Sequence, residues 1–175
     1  MPEPPESLRL LASLRATRTF ADTAVPDEAL QRILEVGRWT GSARNRQPWR
    51  VVVVRDPRRR EALSRLGGYA QLLARAPVVL LMAIDADAGG ADAEFDAGRL
   101  AQSLMLAAGA LGLGTCPATF FPDDNVRRAT AQAGLASPWR VRTAIALGHP
   151  GTPLRGRRAI SSGRRPLDEI RIDLG

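Results

Sequence analysis

The sequence has no lysine, one cysteine and one histidine. Because Cys116 is alone, a disulfide within the chain is excluded, and with His149 as the single histidine there is no Cys/His cluster of the kind that binds zinc. No apolar run reaches the roughly 20 residues that cross a bilayer. The acidic, proline-bearing start MPEPPESLRLL resembles neither a signal peptide nor a transit peptide. We therefore expect a cytoplasmic protein with no metal site and no membrane segment.

The absence of lysine means that all 25 basic residues are arginine, and they give the chain a formal net charge of +7. Such an excess can indicate nucleic-acid binding, because cations displace counterions from phosphate backbones. These arginines are spread along the chain, apart from RDPRRR and RGRRAISSGRR, and charge runs of that kind are usually solvated surface. We favour a bias of base composition and do not expect nucleic acid as a partner.

A length of 175 residues suits one domain with a sizeable core. No internal repeat or low-complexity linker divides the chain, so we expect a single domain over residues 1–175. The end of the chain, GRRPLDEIRIDLG, has a charged start followed by alternating Ile170, Ile172 and Leu174. We expect residues from about 160 to 175 to form an extended arm that adds to a sheet of its own subunit or of a partner.

Hydrophobic periodicity predicts helices that alternate with strands. The valine run of the first strand predicts burial on both faces. The longest helix is nearly all apolar or small after Phe95, which predicts that protein covers most of its sides. Helices between non-adjacent strands make the fold α+β or α/β. The expected helices cover residues 6–16, 26–39, 56–66, 91–113 and 123–133, and the expected strands cover 50–55, 78–84, TCPATF and 141–147.

A polar corner, GSARNRQPW, precedes the first strand. Its small residues, Gly41 among them, allow backbone amides to approach a ligand closely. Ser42 supplies a hydroxyl, and Asn45 and Gln47 supply amides that both donate and accept hydrogen bonds. The alternative interpretation is an ordinary loop after a helix, followed by a core tryptophan.

A basic turn, LRATRTF, follows the first helix. Arg15 and Arg18 repel each other, and this arrangement favours an anion or solvent between them. A phosphate suits the position, because a guanidinium group pairs with it through two hydrogen bonds. The alternative is a frayed basic helix end. A third basic cluster, Arg164 and Arg165, precedes Pro166.

Together these clusters resemble the FMN-dependent nitroreductase family. The resemblance runs through LRATRTF, GSARNRQPW, ARAPVVLLMAIDAD, DAGRLAQSLMLAAGALGLGTCPATFF, RTAIALGHP and GRRPLDEI, in the order of the family and over nearly the whole chain. It implies a three-layer α+β fold whose central sheet is mixed, mainly antiparallel and flanked by helices. It also implies an intertwined homodimer with an FMN site at the interface.

The resemblance assigns FMN to residues from both ends of the chain. Arg15 is expected at the phosphate or ribityl chain, and Arg18 near N1 and the C2 carbonyl, where a cation favours the reduced flavin. Thr17 and Ala16 belong to the same turn, with Ala16 at a position that is often Ser. The corner residues Ser42, Asn45 and Gln47 are expected to reach FMN from the opposite subunit. There Gly41 replaces the family's usual proline, which loosens the corner.

The segment Pro117, Ala118 and Thr119 is expected beside the central ring of the flavin, with a backbone amide of Thr119 or Phe120 facing N5. Arg164 matches the basic residue that contacts the phosphate near the end of the chain, with Arg165 as the second choice. Gln71 is the one residue near GGYAQLL able to replace polar flavin contacts of larger family members.

The implied activity is an NAD(P)H oxidoreductase that needs no catalytic side chain. NAD(P)H would pass hydride to flavin N5, and a nitroaromatic, a quinone or an activated alkene would then accept it in a ping-pong scheme. His149 and Cys116 are interpreted as a turn residue and a core residue. The alternatives are another enzyme on the same scaffold, one that fragments flavin, dehalogenates or oxidises a heterocycle, and a non-enzymatic basic protein that binds nucleic acid.

Overall fold

A computed structural model describes residues 5–152 and 163–174. The helices are α1 (Glu6–Ser13), α2 (Asp27–Arg38), α3 (Pro57–Ser64), the single turn α4 (Ala86–Gly89), α5 (Ala93–Ala110) and α6 (Asp123–Gln132). The strands are β1 (Trp49–Val54), β2 (Val78–Asp85), β3 (Gly114–Thr119) and β4 (Trp139–Gly148). Each expected helix and strand is present, although α1 ends at Ser13 rather than at residue 16, because Leu14 already has an extended backbone.

The four strands form one sheet in the order β1-β2-β4-β3. Every pairing between these strands is antiparallel, which confirms the expected α+β class and the mainly antiparallel sheet. Met82 of β2 pairs with Thr143 of β4, whereas Ala83 pairs with Val141. Arg142 is therefore an extra residue in β4, and the sheet has a bulge at this point.

The two faces of the sheet carry separate cores. On one face, Leu80 and Met82 pack with α2 and α5, and on the other, Leu81 and Ala83 pack with α3 and α6. Alternate side chains of a strand point to opposite faces, so β2 is buried along nearly its whole length. This arrangement confirms the expected three layers, with helices on both sides of the sheet.

Two expectations about burial are wrong within the single chain. β1 is an edge strand, so Val51 and Val52 are only half-buried and Val53 is 36% exposed. Helix α5 fully buries one stripe, which includes Leu100 and Leu104, whereas Met105 and Leu106 are only half-buried. A valine run and an apolar helix indicate that apolar surface must be buried, but they do not show whether the same chain or another one buries it.

The described part of the C-terminal arm, residues 163–174, lies open. Ile170, Ile172 and Leu174 are 58%, 86% and 93% exposed. This part of the arm contains a short 3₁₀ turn at Leu167–Glu169 and adds no strand to the sheet of its own chain. The first residues of the predicted arm, 160–162, lie outside the described residues. None of the helices in the described ranges has both the length and the apolar character to cross a bilayer.

Candidate functional site

The basic turn lies against the start of β3. The Thr17 N–H donates to the Thr115 carbonyl at 2.8 Å, and Ala16 forms a parallel bridge with Thr115. Farther along, the Ala21 N–H donates to the His149 carbonyl at 2.9 Å, just beyond the end of β4. Residues 16–21 therefore cross the ends of β3 and β4, and backbone hydrogen bonds hold the turn in this position.

Gly114 is required for this close approach. A Cβ atom at Gly114 would lie 2.4 Å from Thr17 Oγ1, closer than two such atoms can approach. We expect Gly114→Ala to lower the free energy of unfolding by about 1–3 kcal/mol, because it overpacks a buried contact. Urea unfolding measures the change. The control is Gly68→Ala, since a Cβ at Gly68 meets nothing within 4 Å; equal stability of the two variants would contradict the packing of the turn on β3.

The two arginines of the turn have different surroundings. Arg15 Nη1 donates to the carbonyls of Ala12 and Leu14 at 2.7 and 2.9 Å, at the C-terminal end of α1. Arg18 makes no side-chain hydrogen bond or ion pair with the described residues. Its charge lies near the thiol of Cys116. The Arg18 guanidinium group is therefore available to an anion beside β3.

Cys116 is a core residue of β3, as expected. It is 4% exposed, and its burial raises the pKa of the thiol, while the nearby charge of Arg18 lowers it to a smaller extent. A thiol with a raised pKa stays protonated near neutral pH and is a poor nucleophile. Cys116 is thus unsuited to nucleophilic catalysis, even though it lies next to the basic turn.

The outer edge of β3 offers one outward N–H near its end. Phe120 donates its N–H to the Arg142 carbonyl at 2.8 Å, on the side of β4. Successive residues of an antiparallel strand direct their backbone groups to opposite sides, so the Thr119 N–H points away from β4. Pro117 has no N–H. Of the two amides predicted to face a ligand, Phe120 is thus already engaged and Thr119 remains.

Side chains follow the same alternation along β3. Pro117 and Thr119 are exposed, whereas Ala118 is buried in the core on the side of α3 and α6. Ala118 can therefore contribute backbone atoms to a ligand site but no side-chain surface. Gln71 lies on the 3₁₀ turn at Gln71–Ala74, and its side-chain amide donates to the Gly68 carbonyl at 3.0 Å.

The polar corner is tied together by its own side chains. Ser42 Oγ accepts the N–H of Gln47 at 2.8 Å, and Gln47 Nε2 donates to Asn45 Oδ1 at 3.0 Å. Arg44, Asn45 and Gln47 have φ values of 53°, 54° and 48°. This left-handed backbone costs energy in residues other than glycine, and such strain is concentrated at functional sites in proteins.

A buried carboxylate anchors the corner to α5. Asp96 is 2% exposed, and its Oδ2 accepts the Ala43 N–H at 2.8 Å. Arg99 Nη1 lies 3.6 Å from Asp96 Oδ1 and balances part of the buried charge. Sequence reasoning missed both residues. The signal that could have found Asp96 is an acidic residue in a helix of mainly small and apolar residues. A buried carboxylate needs hydrogen-bond partners or an opposite charge.

The turn and the corner lie at different places along α5. The corner contacts Asp96, whereas Leu14, the first residue of the basic turn, lies against Gly109, where an added Cβ atom would be 3.3 Å from Leu14 Cδ1. The two contact points are about 20 Å apart at 1.5 Å per helical residue. One chain therefore places the basic turn at the start of β3, the strand that continues to Pro117–Thr119, whereas the corner with Ser42, Asn45 and Gln47 is attached to the other end of α5.

The basic residues near the C-terminus lie on the exposed arm. Arg164 and Arg165 are exposed, and Arg164 Nη1 donates to the Gly163 carbonyl at 3.1 Å. In the described structure, neither side chain makes a hydrogen bond or an ion pair with the basic turn. Within residues 5–152 and 163–174 there is no group of three or more His, Cys, Asp or Glu residues arranged to hold a metal ion.

Comparison with known proteins agrees with this architecture. Residues 11–67 and 61–149 match the model of the nitroreductase family. This chain belongs to the nitroreductase family. The chain is 26% identical over 149 residues to an Archaeoglobus fulgidus protein described as an NADH dehydrogenase/NAD(P)H nitroreductase. The alignment covers 83% of this chain and 86% of that protein.

Two further family relatives extend over almost the whole chain. An NADH dehydrogenase of Thermus thermophilus is 29% identical over 192 aligned residues, with 89% of this chain and 90% of that protein covered. A Desulfovibrio desulfuricans protein solved as a nitroreductase in complex with FMN is 31% identical, with 99% of each chain covered and a TM-score of 0.81. The resemblance inferred from the sequence motifs is therefore confirmed.

Proposed function

We propose that this chain is an FMN-dependent NAD(P)H oxidoreductase that reduces nitroaromatics, quinones or activated alkenes. The main observation behind the proposal is that Arg18, a cation without an anionic partner in the described structure, lies beside the outer edge of β3. Arg18 has no anionic partner in the described structure, and the edge of β3 beside it leads to the outward N–H of Thr119. The FMN complex of the Desulfovibrio relative supports the same cofactor.

The donors of this region suit FMN. From Thr115, where the basic turn is attached, to Thr119 the edge of β3 extends for about 13 Å at ~3.3 Å per residue. Guanidinium groups at one end suit a phosphate or a negatively charged ring edge. An outward amide at the other end suits a ring nitrogen that accepts a hydrogen bond. None of the residues assigned to the site is acidic, so nothing in the set repels the anionic cofactor.

Bound FMN would take hydride from NAD(P)H and give it to the acceptor, in a ping-pong scheme at one site. The chain contributes orientation and electrostatics. Arg15 would hold the phosphate or ribityl chain, and Arg18 would favour the reduced state, because a fixed cation offsets negative charge on the ring. The Thr119 N–H would donate to N5. No acid or base of the chain is needed.

The complete site requires a second subunit. The corner with Ser42, Asn45 and Gln47 is attached to α5 about 20 Å from the point where Leu14 of the same chain contacts this helix, so we assign these three residues to the site of the partner. Arg164 is assigned to the phosphate, with Arg165 as the second choice. Open apolar side chains on α5 and the arm, such as Phe95 at 71% exposure, support a homodimer, since large apolar patches on a surface mark interfaces.

Anaerobic turnover tests the proposed function. We expect the purified protein, once loaded with FMN and freed of excess, to be yellow with one FMN per chain. It should oxidise NADH or NADPH when menadione or nitrofurazone is present, and FMN-free protein should not. A yellow protein that leaves NAD(P)H unchanged would favour another enzyme of the same scaffold. A colourless protein with salt-sensitive affinity for nucleic acid would refute an FMN enzyme.

A further inference from the structure

A second basic cluster lies beyond the basic turn, in a crevice of about 230 Å³. We call it the arginine crevice. One wall is the loop that connects the basic turn to α2, and the other walls come from the end of β1, from α3 and from the segment before β2. The lining residues are Ala21, Asp22, Thr23, Ala24, Val25, Arg55, Arg60, Arg75 and Pro77.

Two of the three arginines are held in place by the fold. Arg60 Nη1 donates to the carbonyls of Ala74, at 3.0 Å, and Ala76. Arg55 Nη1 donates to the Val25 carbonyl at 3.1 Å, and its Nη2 donates to Asp27 at 2.5 Å. These contacts fix both guanidinium groups before any ligand arrives. They leave Arg60 Nη2 without an acceptor among the described residues.

The third arginine is unpaired. Arg75 is exposed, and its guanidinium group makes no hydrogen bond or ion pair with residues 5–152 or 163–174. Three guanidinium groups thus line the crevice together with the carboxylate of Asp22, and Asp27 pairs with Arg55, so three positive and two negative charges leave an excess of one positive charge. The guanidinium groups of Arg60 and Arg75 carry like charges and repel each other. An oxyanion between them would be attracted to both.

We propose that the arginine crevice binds a phosphate-type oxyanion through Arg75 and Arg60 Nη2. Guanidinium groups pair with phosphate through forked hydrogen bonds. The volume of about 230 Å³ lies below the ~300–1,000 Å³ of pockets that enclose drug-sized ligands, so it suits inorganic phosphate or the phosphate group of a small monoester. The site is separate from the residues proposed for FMN.

The crevice is lined by the loop that follows the basic turn. Residues 21–25 follow directly on the basic turn, which Ala21 attaches to His149. An anion that pairs with Arg75 and Arg60 would join the segment before β2 to α3, in the crevice that this loop also lines. Because these groups meet only in the folded chain, a bound anion stabilises the folded state.

A phosphate titration of the FMN-saturated protein tests this site, because the cofactor then fills the other phosphate position. Thermal unfolding and calorimetry are measured in potassium phosphate and in potassium chloride at equal ionic strength. We expect a saturable rise of Tm with phosphate, and at least tenfold weaker phosphate binding in Arg75→Gln. Arg58→Gln, which removes an exposed arginine of α3 outside the crevice, should bind phosphate as the wild type does.

The order of stabilities distinguishes binding from a fold defect. In chloride, Arg75→Gln should be at least as stable as the wild type, because it relieves repulsion, and in phosphate it should be less stable. Arg75→Lys, which keeps the charge, should retain part of the response. Equal phosphate affinity of Arg75→Gln and the wild type, or no saturable response, would overturn the proposal. Because the comparison is between variants, it localises phosphate binding even if the chain takes up no FMN.

Discussion

The Arg18→Ala variant is expected to bind FMN about 10- to 100-fold more weakly than the wild type. A hydrogen bond to a charged group contributes about 1.5–3 kcal/mol, and Arg18 has no other hydrogen-bond or ion-pair partner in the described structure that its loss would disturb. The variant should also have a lower flavin reduction potential, because the cation that favours the reduced ring is gone. Fluorescence titration measures the affinity, and equilibration with reference dyes measures the potential.

Arg58→Ala is the control for this prediction. Arg58 is exposed on α3, outside the residues assigned to the site, and its loss changes the net charge by the same amount. It should alter neither FMN affinity nor potential by more than twofold. If both variants behave alike, the effect comes from overall charge, and the assignment of Arg18 to the flavin is wrong.

Mixed dimers of Arg18→Ala and Asn45→Ala chains should recover FMN binding at half of their sites. In the proposed dimer, each site combines the Arg18 of one chain with the Asn45 of the other. A mixed dimer therefore has one site with both changes and one with neither. Two different affinity tags allow the mixed dimer to be purified, and FMN per dimer is counted by absorbance at a concentration that fills wild-type sites.

The homodimers set the baseline for the mixed dimer. The Arg18→Ala homodimer should retain little FMN, and the Asn45→Ala homodimer should bind it about 2- to 10-fold more weakly, because an uncharged hydrogen bond contributes about 0.5–1.5 kcal/mol. If both residues served a site within one chain, every site of the mixed dimer would carry one change. Absence of a wild-type population of sites would therefore refute the shared interface.

Much of the fold could be predicted because the helices and strands have local signals. β2 is a run of apolar residues with breakers on either side, and it forms a strand at the predicted position, Val78–Asp85. The failures concern contacts between distant segments. The valine run of β1 resembles a central strand, yet the sheet order places it at an edge. Edge or centre depends on which strands pair, and periodicity along a single strand does not encode this.

The candidate site likewise has features that the sequence predicts and features that depend on distant contacts. The chemistry of the basic turn and the polar corner could be predicted from the sequence. Two close arginines suit an anion, and Ser, Asn and Gln can form hydrogen bonds with polar groups. The roles of Thr119 and Phe120 were not, because the direction of an amide depends on how β3 pairs with β4. Asp96 was missed because its partner, the Ala43 N–H, lies on another segment.

The sequence by itself determined the family, the order of helices and strands, and the kinds of side chain available to an anionic, flat cofactor. The family follows from the resemblance of the sequence motifs, the helices and strands follow from local periodicity, and the kinds of side chain are given by the residues themselves. Only the tertiary structure decided which amide of β3 is free, that the turn and the corner contact α5 at points about 20 Å apart, and that three distant arginines share a crevice. The physical reason is that strand register and helix packing join segments far apart in sequence, and such contacts depend on the whole fold.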